Sequence, residues 1–542
     1  MFVGRGLGTS NGEDEMAARI AATVLTLALV AAGCSSEEAS PEPLADSPPA
    51  VPAAQIDRAD VDAAVGDLDG YVEAMMARTG TPGVAAAVVY QDEVLYSRGF
   101  GVRKVGTDEA VDTHTRFQLA SVSKPVASSV IAASVGDGAV DWADPVRRYE
   151  PEFAVADPYV SEHATFVDLL SHRSGLPDHA GDVLEDFGYD YDDIMGRLDQ
   201  LPLGSFRDSY AYTNFGFTAA GNAAAKAQGT DWPELSRRRI YEPLGMADTS
   251  SRFEDWANSP NHAVNHVLAD GSTTEWEAKY VREPDNQSPA GGASSSVDDM
   301  TKWIRMELGG GEFEGRRIVD ADALQYTHTS HSLSGASGTE GARDSFYGLG
   351  FNVGTDDKGR VELSHSGAFA LGASTTVFML PSEQLGIVVL SNSAPVGGSE
   401  TVAAQFMDQV RNGRQTVDWA PLIAGIFDGI AEEEASPIDY ATPPASVTPA
   451  RPATEYVGTF DSPFHGPARV SADGDRLTLT VGKDGRLTYP LTHYDGDTYF
   501  FETSGENAVG PTGVTFEIVN GAPASFTVEY LDKQGLGRFT RS

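Results

Sequence analysis

The chain has 542 residues and is 41% hydrophobic, enough for two or three folded units and too much for wholesale disorder. Its 38 basic residues stand against 79 acidic ones, a formal net charge of −41, which argues against nucleic-acid binding and against membrane attachment through a basic patch. An acidic, lysine-poor surface fits a saline habitat and ordinary acidic drift equally well.

The first element is an apolar run of 14 residues, Ile20 to Gly33. It is too short to span a bilayer but has the length of a signal-peptide core, with Arg19 just before it. Ala31, Ala32 and Gly33 lead into Cys34, the single cysteine, so neither a disulfide framework nor a cysteine-based metal cluster is available. This arrangement resembles a bacterial lipoprotein signal, in which Cys34 is lipidated and becomes the mature N-terminus. The resemblance implies an exported protein, lipid-anchored to a bacterial membrane and facing the periplasm or cell exterior. Glu13, Asp14 and Glu15 are wrong for a signal n-region, so Met16 is the expected start. Residues 1–33 are thus read as signal peptide, and 34–55, rich in Ser, Glu, Pro and Ala, as a disordered tether.

Folded sequence begins near Ile56. Val61–Thr79 has helical spacing of apolar residues. Two strands follow, Val84–Tyr90 and Val94–Phe100, joined at Gln91-Asp92. Further strands are predicted at Thr375–Leu380 and Gly386–Ser391, with a closing helix at Thr401–Val410. The pattern predicts one α+β domain over 56–415, its antiparallel sheet built from both ends of the segment around a helical insertion. Residues 416–453 read as an amphipathic segment and a Pro/Ala-rich linker. Over 454–542, short strand-like runs at Leu477–Val481, Tyr499–Glu502, Val514–Val519 and Phe526–Tyr530 alternate with turn pairs. These pairs, Asp473-Gly474, Asp484-Gly485, Asp495-Gly496 and Asn520-Gly521, predict a small all-β, barrel-like domain.

Three motifs carry chemistry. Ser121 and Lys124 lie three apart in FQLASVSK. A helix starting at Ser121 puts both on one face, and a desolvated lysine can activate a serine hydroxyl. Pro125 fits only near such a helix start. Downstream come Tyr212-Thr213-Asn214 and then His365-Ser366-Gly367, followed by Ala368. On its own Ser-x-x-Lys is a weak pattern. The order Ser-x-x-Lys, Tyr-x-Asn, basic-x-Gly resembles the serine β-lactamase and penicillin-binding-protein superfamily, most closely its class C β-lactamase-like, D-aminopeptidase and esterase branch. LLSHRSGL at 169–176 and PAGGASS at 289–295 resemble further stretches of that branch, and Tyr456–Phe460 opens a part similar to a lipocalin-like β domain. One departure is His365, where true class C β-lactamases have lysine.

The resemblance implies that Ser121 attacks a carbonyl while Lys124 and Tyr212 share the proton work. Which of the two is the base stays open. A cationic Lys124 beside Tyr212 would depress the phenol toward phenolate. Asn214 would bind Lys124 or a substrate amide. His365 and Ser366 would line the opposite wall, with His365 donating to Tyr212 or to a substrate carboxylate. The oxyanion donors would be the Ser121 and Ala368 amides, and Gly367 would leave room for substrate. No cofactor is implied. His172 and Arg173 read as structural loop residues, and His328 and His331 lack a third ligand at zinc spacing. The implied activity is hydrolysis of an amide or ester, a D-amino-acid-containing peptide or a carboxylic ester foremost. The alternatives are a true β-lactamase and a non-catalytic peptide-binding lipoprotein.

Overall fold

The computed structural model describes residues 56–542; the predicted signal run and Cys34 lie outside them. Helix α1 (Arg58–Thr79) starts three residues before the apolar periodicity does. Asp57 caps it, accepting from Ala59 and Asp60 amides in a reciprocal capping box, and Gly80 ends it at φ 71°. Strands β1 (Gly83–Tyr90) and β2 (Glu93–Gly101) form the predicted hairpin. The sheet is completed by β3 (Ser332–Gly335), β4 (Ser345–Tyr347), β5 (Asn352–Thr355), β6 (Val361–Phe369), β7 (Ala373–Leu380) and β8 (Leu385–Ser391). Its eight strands run in the order β2-β1-β8-β7-β6-β5-β4-β3, all pairs antiparallel. The two chain ends of the domain therefore meet at the β1–β8 seam, where Val84 pairs with Ser391.

Strand β1 is buried on both faces, so it reads as a continuous run of Ala and Val. Val84, Ala86 and Val88 face α1 and α5 (Gly398–Asn412); Ala85, Ala87 and Val89 face the helical side. On that side lie α2 (Ser123–Gly136) and α3 (Asn214–Ala227), both nearly encased in protein, and α4 (Val297–Leu308). Most of the remaining insertion is short helices and loops.

Helix α6 (Trp419–Glu434) leads through the Pro/Ala-rich segment into a closed barrel of eight antiparallel strands. These are β9 (Gly458–Ser462), β10 (Gly466–Asp473), β11 (Arg476–Val481), β12 (Leu487–Asp495), β13 (Thr498–Glu502), β14 (Pro511–Val519), β15 (Ala522–Val528) and β16 (Arg538–Arg541), with β9 closing on β16. The Asn520-Gly521 pair turns β14 into β15 with both residues at positive φ, as a two-residue hairpin demands. Phe460, Phe516, Phe526 and Phe539 pack ring against ring inside the barrel. The barrel rests on the helical insertion, where the Lys483 amide donates to Phe187 O and its ammonium pairs with Asp193.

Candidate active site

The nucleophile turn is fixed before its chemistry begins. Phe117–Gln118 pairs with Ser294–Ser295, and the Leu119 amide donates to Ala293 O. Leu119 O in turn accepts the Thr375 hydroxyl of β7 at 2.6 Å. Ala120 then takes φ 46°, a left-handed conformation that costs a side-chain-bearing residue of order 1–3 kcal/mol and persists only where surroundings impose it. Here it packs against Phe369 and Ala373. Ser121 follows inside a single 3-10 turn, Ala120–Val122, and the α-helix starts at Ser123, two residues later than the sequence predicts.

From that turn Lys124 reaches back. Its Nζ donates to Ser121 Oγ at 3.1 Å, Asn214 Oδ1 at 2.7 Å and Ala290 O at 3.1 Å. All three acceptors are neutral, and the side chain is wholly buried. Burial without a contacting carboxylate pushes the ammonium down to about 7, opposed only by Asp182 at longer range. The Tyr212 hydroxyl donates to Ser121 Oγ from the other side, at 2.8 Å. Burial raises its pKa well above the ordinary phenol value, the direction opposite to the expected depression toward phenolate. Desolvation of the phenol outweighs any pull from the lysine, which is itself tending to neutrality.

Thr213 stands at the N-cap position of α3 without a side-chain capping bond, which puts Asn214 in the first turn. Asn214 is a relay: its Nδ2 donates to Asp182 Oδ2 at 2.7 Å, and the same oxygen meets His179 Nδ1 at 2.8 Å. Burial works against charge on His179, but this bond together with the negative charges of Asp182, Asp178 and Glu434 more than offsets it and raises the imidazole to about 9. His172 is more than a loop residue. It sits at φ 57°, its Nδ1 accepts the Thr213 amide, and its ring lies 4.5 Å from that of Tyr212.

Strand β6 forms the opposite wall. His365 faces the site, and burial drives its imidazole down to about 3, so it is neutral at any ordinary pH. Its Nε2 partners the Tyr347 hydroxyl at 2.9 Å and its Nδ1 the Ser366 carbonyl, while the Tyr212 ring centroid is 6.4 Å away. Of the two partners expected for His365, Tyr212 or a substrate carboxylate, Tyr212 is not bonded to it, and Tyr347 takes its Nε2 instead. Ser366 is also corrected. Side chains alternate along a strand, and Ser366 meets Thr376 Oγ1 on the face where Glu362 pairs with Arg411 of α5. It does not line the wall. Gly367 is required, though not for the reason predicted: a Cβ there would lie 2.2 Å from Leu119 O and 2.9 Å from Ser121 N, striking the nucleophile turn itself. Ala368 is exposed at the strand's end.

A serine held between a near-neutral lysine and a protonated tyrosine is equipped to attack a carbonyl and to move its proton. Residues 68–412 match the Beta-lactamase family, over more than half the chain. The chain belongs to that family. Residues 442–538, the linker's end and the barrel, match a domain of unknown function, DUF3471. Among β-lactamase-family relatives, the unguisins hydrolase of Aspergillus violaceofuscus is 25% identical over 470 residues, 80% of this chain and 82% of its own. The D-alanyl-D-alanine-carboxypeptidase/endopeptidase AmpH of Escherichia coli is 23% identical, over 61% of this chain and 84% of its own. The octameric penicillin-binding protein homologue from Pyrococcus abyssi superposes with a TM-score of 0.56 at 19% identity, covering 88% of this chain and all of that one, which supports the fold. The protein is a serine hydrolase of the β-lactamase family.

Sequence reasoning did not find Asp182, His179 or Tyr347. Asp182 and His179 stand just downstream of the LLSHRSGL stretch, within reach of a search for polar residues flanking it. Tyr347 lies on a three-residue strand with no pattern around it. His328 bonds Glu307 at 2.9 Å, and among the described residues no cluster of metal-ligating side chains occurs.

Proposed function

We propose that the enzyme hydrolyses a D-amino-acid-containing peptide or a carboxylic ester through an acyl-enzyme on Ser121. The observation that carries this is the Lys124 ammonium, buried among neutral oxygens and 3.1 Å from Ser121 Oγ. In its neutral form Lys124 takes the Ser121 proton as Oγ bonds to the substrate carbonyl carbon. Tyr212 hands its proton to the departing amine or alcohol and is reprotonated from Lys124. Water then attacks the acyl-enzyme, gives up a proton by the same route, and releases Ser121 and the acid. The amides of Ser121 and Ala368 serve as oxyanion donors, and such donors supply ~3–4 kcal/mol each. Neutral His365 gives no positive charge for a β-lactam carboxylate, so β-lactams are expected to be poor substrates.

Fluorophosphonate labelling is expected to mark the wild type and to be abolished in Ser121→Ala; equal labelling of both would overturn the reading. A panel of D-amino peptides, p-nitrophenyl esters and nitrocefin identifies the substrate class. Export and lipidation at Cys34 form part of the same proposal. Mass spectrometry of the mature N-terminus tests it, and an unmodified Cys34 refutes it.

A further inference from the structure

The barrel sends one loop to the active site. Between β13 and β14, Thr503–Gly510 crosses to the hydrolase domain, where the Asp186 carboxylate accepts from the Glu506 amide at 3.0 Å, the Asn507 amide at 2.9 Å and Asn507 Nδ2 at 2.9 Å. Asn507 Nδ2 also donates to the carbonyl of Asp182, whose side chain orients Asn214. Gly505 permits this approach: it sits at φ 109°, and a Cβ would lie 2.6 Å from the Asp186 carboxylate carbon.

The loop thereby delivers Glu506 to a defined place. Its carboxylate receives two adjacent backbone amides, Ala370 at 2.8 Å and Leu371 at 3.2 Å. The Arg282 guanidinium is buried and pairs through Nη2 with Glu185, while its Nε has no hydrogen-bond partner and stands 3.9 Å from the Glu506 carboxylate. The Arg282 guanidinium lies 5.3 Å over the Phe369 ring, which packs on Ala120 beside the nucleophile. Two convergent amides and a buried arginine make an anion site. It begins three residues after Gly367, which abuts the nucleophile turn, so it lies within ~10 Å of that glycine by chain geometry. Burial raises the Glu506 carboxyl to about 7 despite Arg282 and the two amides, so the position imposes a cost on the group that fills it.

We propose that Glu506 is a specificity residue: its carboxylate fills the anion site made by the Ala370 and Leu371 amides and Arg282, and so excludes substrates carrying a free carboxylate within about three residues of the scissile bond. This rests on the hydrolase reading above and sharpens it. The preferred substrate is an amide or ester whose neighbouring terminus is blocked, internal or cyclic, not a terminal carboxylate.

The test measures protection of the full-length enzyme against fluorophosphonate labelling, using N-acetyl-D-alanyl-D-alanine and its C-terminal amide, which differ only in the charged terminus. The wild type is expected to be protected at least tenfold better by the amide. In Glu506→Ala the acid is expected to gain at least tenfold relative to the amide, each variant's protection being read against its own unprotected labelling. Glu506→Gln keeps the side chain's shape and is expected to gain about threefold; it decides the matter if the alanine variant fails to label. An acid-to-amide ratio unmoved in both variants, or no protection by the acid in either, overturns the proposal while Ser121 labelling stands. Loss of the Ser121 dependence itself would instead overturn the hydrolase reading.

Discussion

Two buried cations in this molecule meet opposite fates. Arg360 is almost fully enclosed, with Asp356 at 2.6 Å and Glu383 at 3.3 Å. Lys124 is equally enclosed, but its hydrogen bonds go only to a hydroxyl, an amide oxygen and a peptide carbonyl, with the Tyr212 ring 4.5 Å away. Carboxylate partners offset the desolvation of a cation, and the first group ties the β5–β6 loop to the Pro381–Glu383 turn between β7 and β8. Neutral acceptors do not, so the second is driven toward its neutral, proton-accepting form. Residue choice follows the same logic: a guanidinium does not deprotonate under these conditions, and an amine does. The nearest carboxylate to Lys124, Asp182, is held one residue away behind Asn214. Were it in direct contact, the lysine would be another structural cation.

Lys124→Arg breaks the comparison most severely. It keeps the charge and removes the base, so kcat is expected to fall ~10³-fold, about 4 kcal/mol, with the protein still folded by circular dichroism. In the wild type, kcat/KM should rise with pH through about 7 as Lys124 loses its proton, and His365, neutral above about 3, should add no step there. A rate that falls across pH 6 to 8 would refute Lys124 as the base. The same shift predicts a linkage. The unfolded lysine holds its proton up to about 10.5 and the folded one only to about 7, so between these values the unfolded state binds more protons and this group makes stability rise with pH.

Arg360→Met reverses the test. It leaves Asp356 and Glu383 without their guanidinium, and denaturant unfolding is expected to show a loss of ~3 kcal/mol, while kcat of the folded fraction stays within about twofold. Gly367→Ala should cost ~10² in the labelling rate, since the new methyl must displace the Leu119 carbonyl or the Ser121 amide. Ser366→Ala is expected to have the smallest effect, under about twofold in kcat, because its hydroxyl lies on the helix-covered side of β6.

What could be read from the sequence follows physical range. Ser121, Lys124, Tyr212 and Asn214 were legible because motif order reports residues that must converge, and strands β1, β7 and β8 because burial on both faces leaves near-continuous apolar runs, with β2 following from the Gln91-Asp92 turn after β1. Strands β3 to β5 were not, being short and partly exposed. In the barrel, the turn pairs stood where predicted, but only four of eight strands were seen; β12, for instance, carries Pro490. The side-chain directions at Ser366 and His365 depend on the register of β6 against β7, which a motif does not encode. Nor does any local pattern announce that Glu506, from another domain, ends at Ala370.

The seam between β1 and β8 also sets a timetable. Val84 cannot find Ser391 until nearly the whole hydrolase domain has been synthesised. At ~5–20 residues per second, the first hairpin waits on the order of 15 to 60 s for its central neighbour. Strand β7, which bolts Leu119 beneath the nucleophile through Thr375, takes its place in the sheet only with that late closure. A chain that stops short of β8 therefore carries all three catalytic motifs without the pairing that closes the sheet across β1.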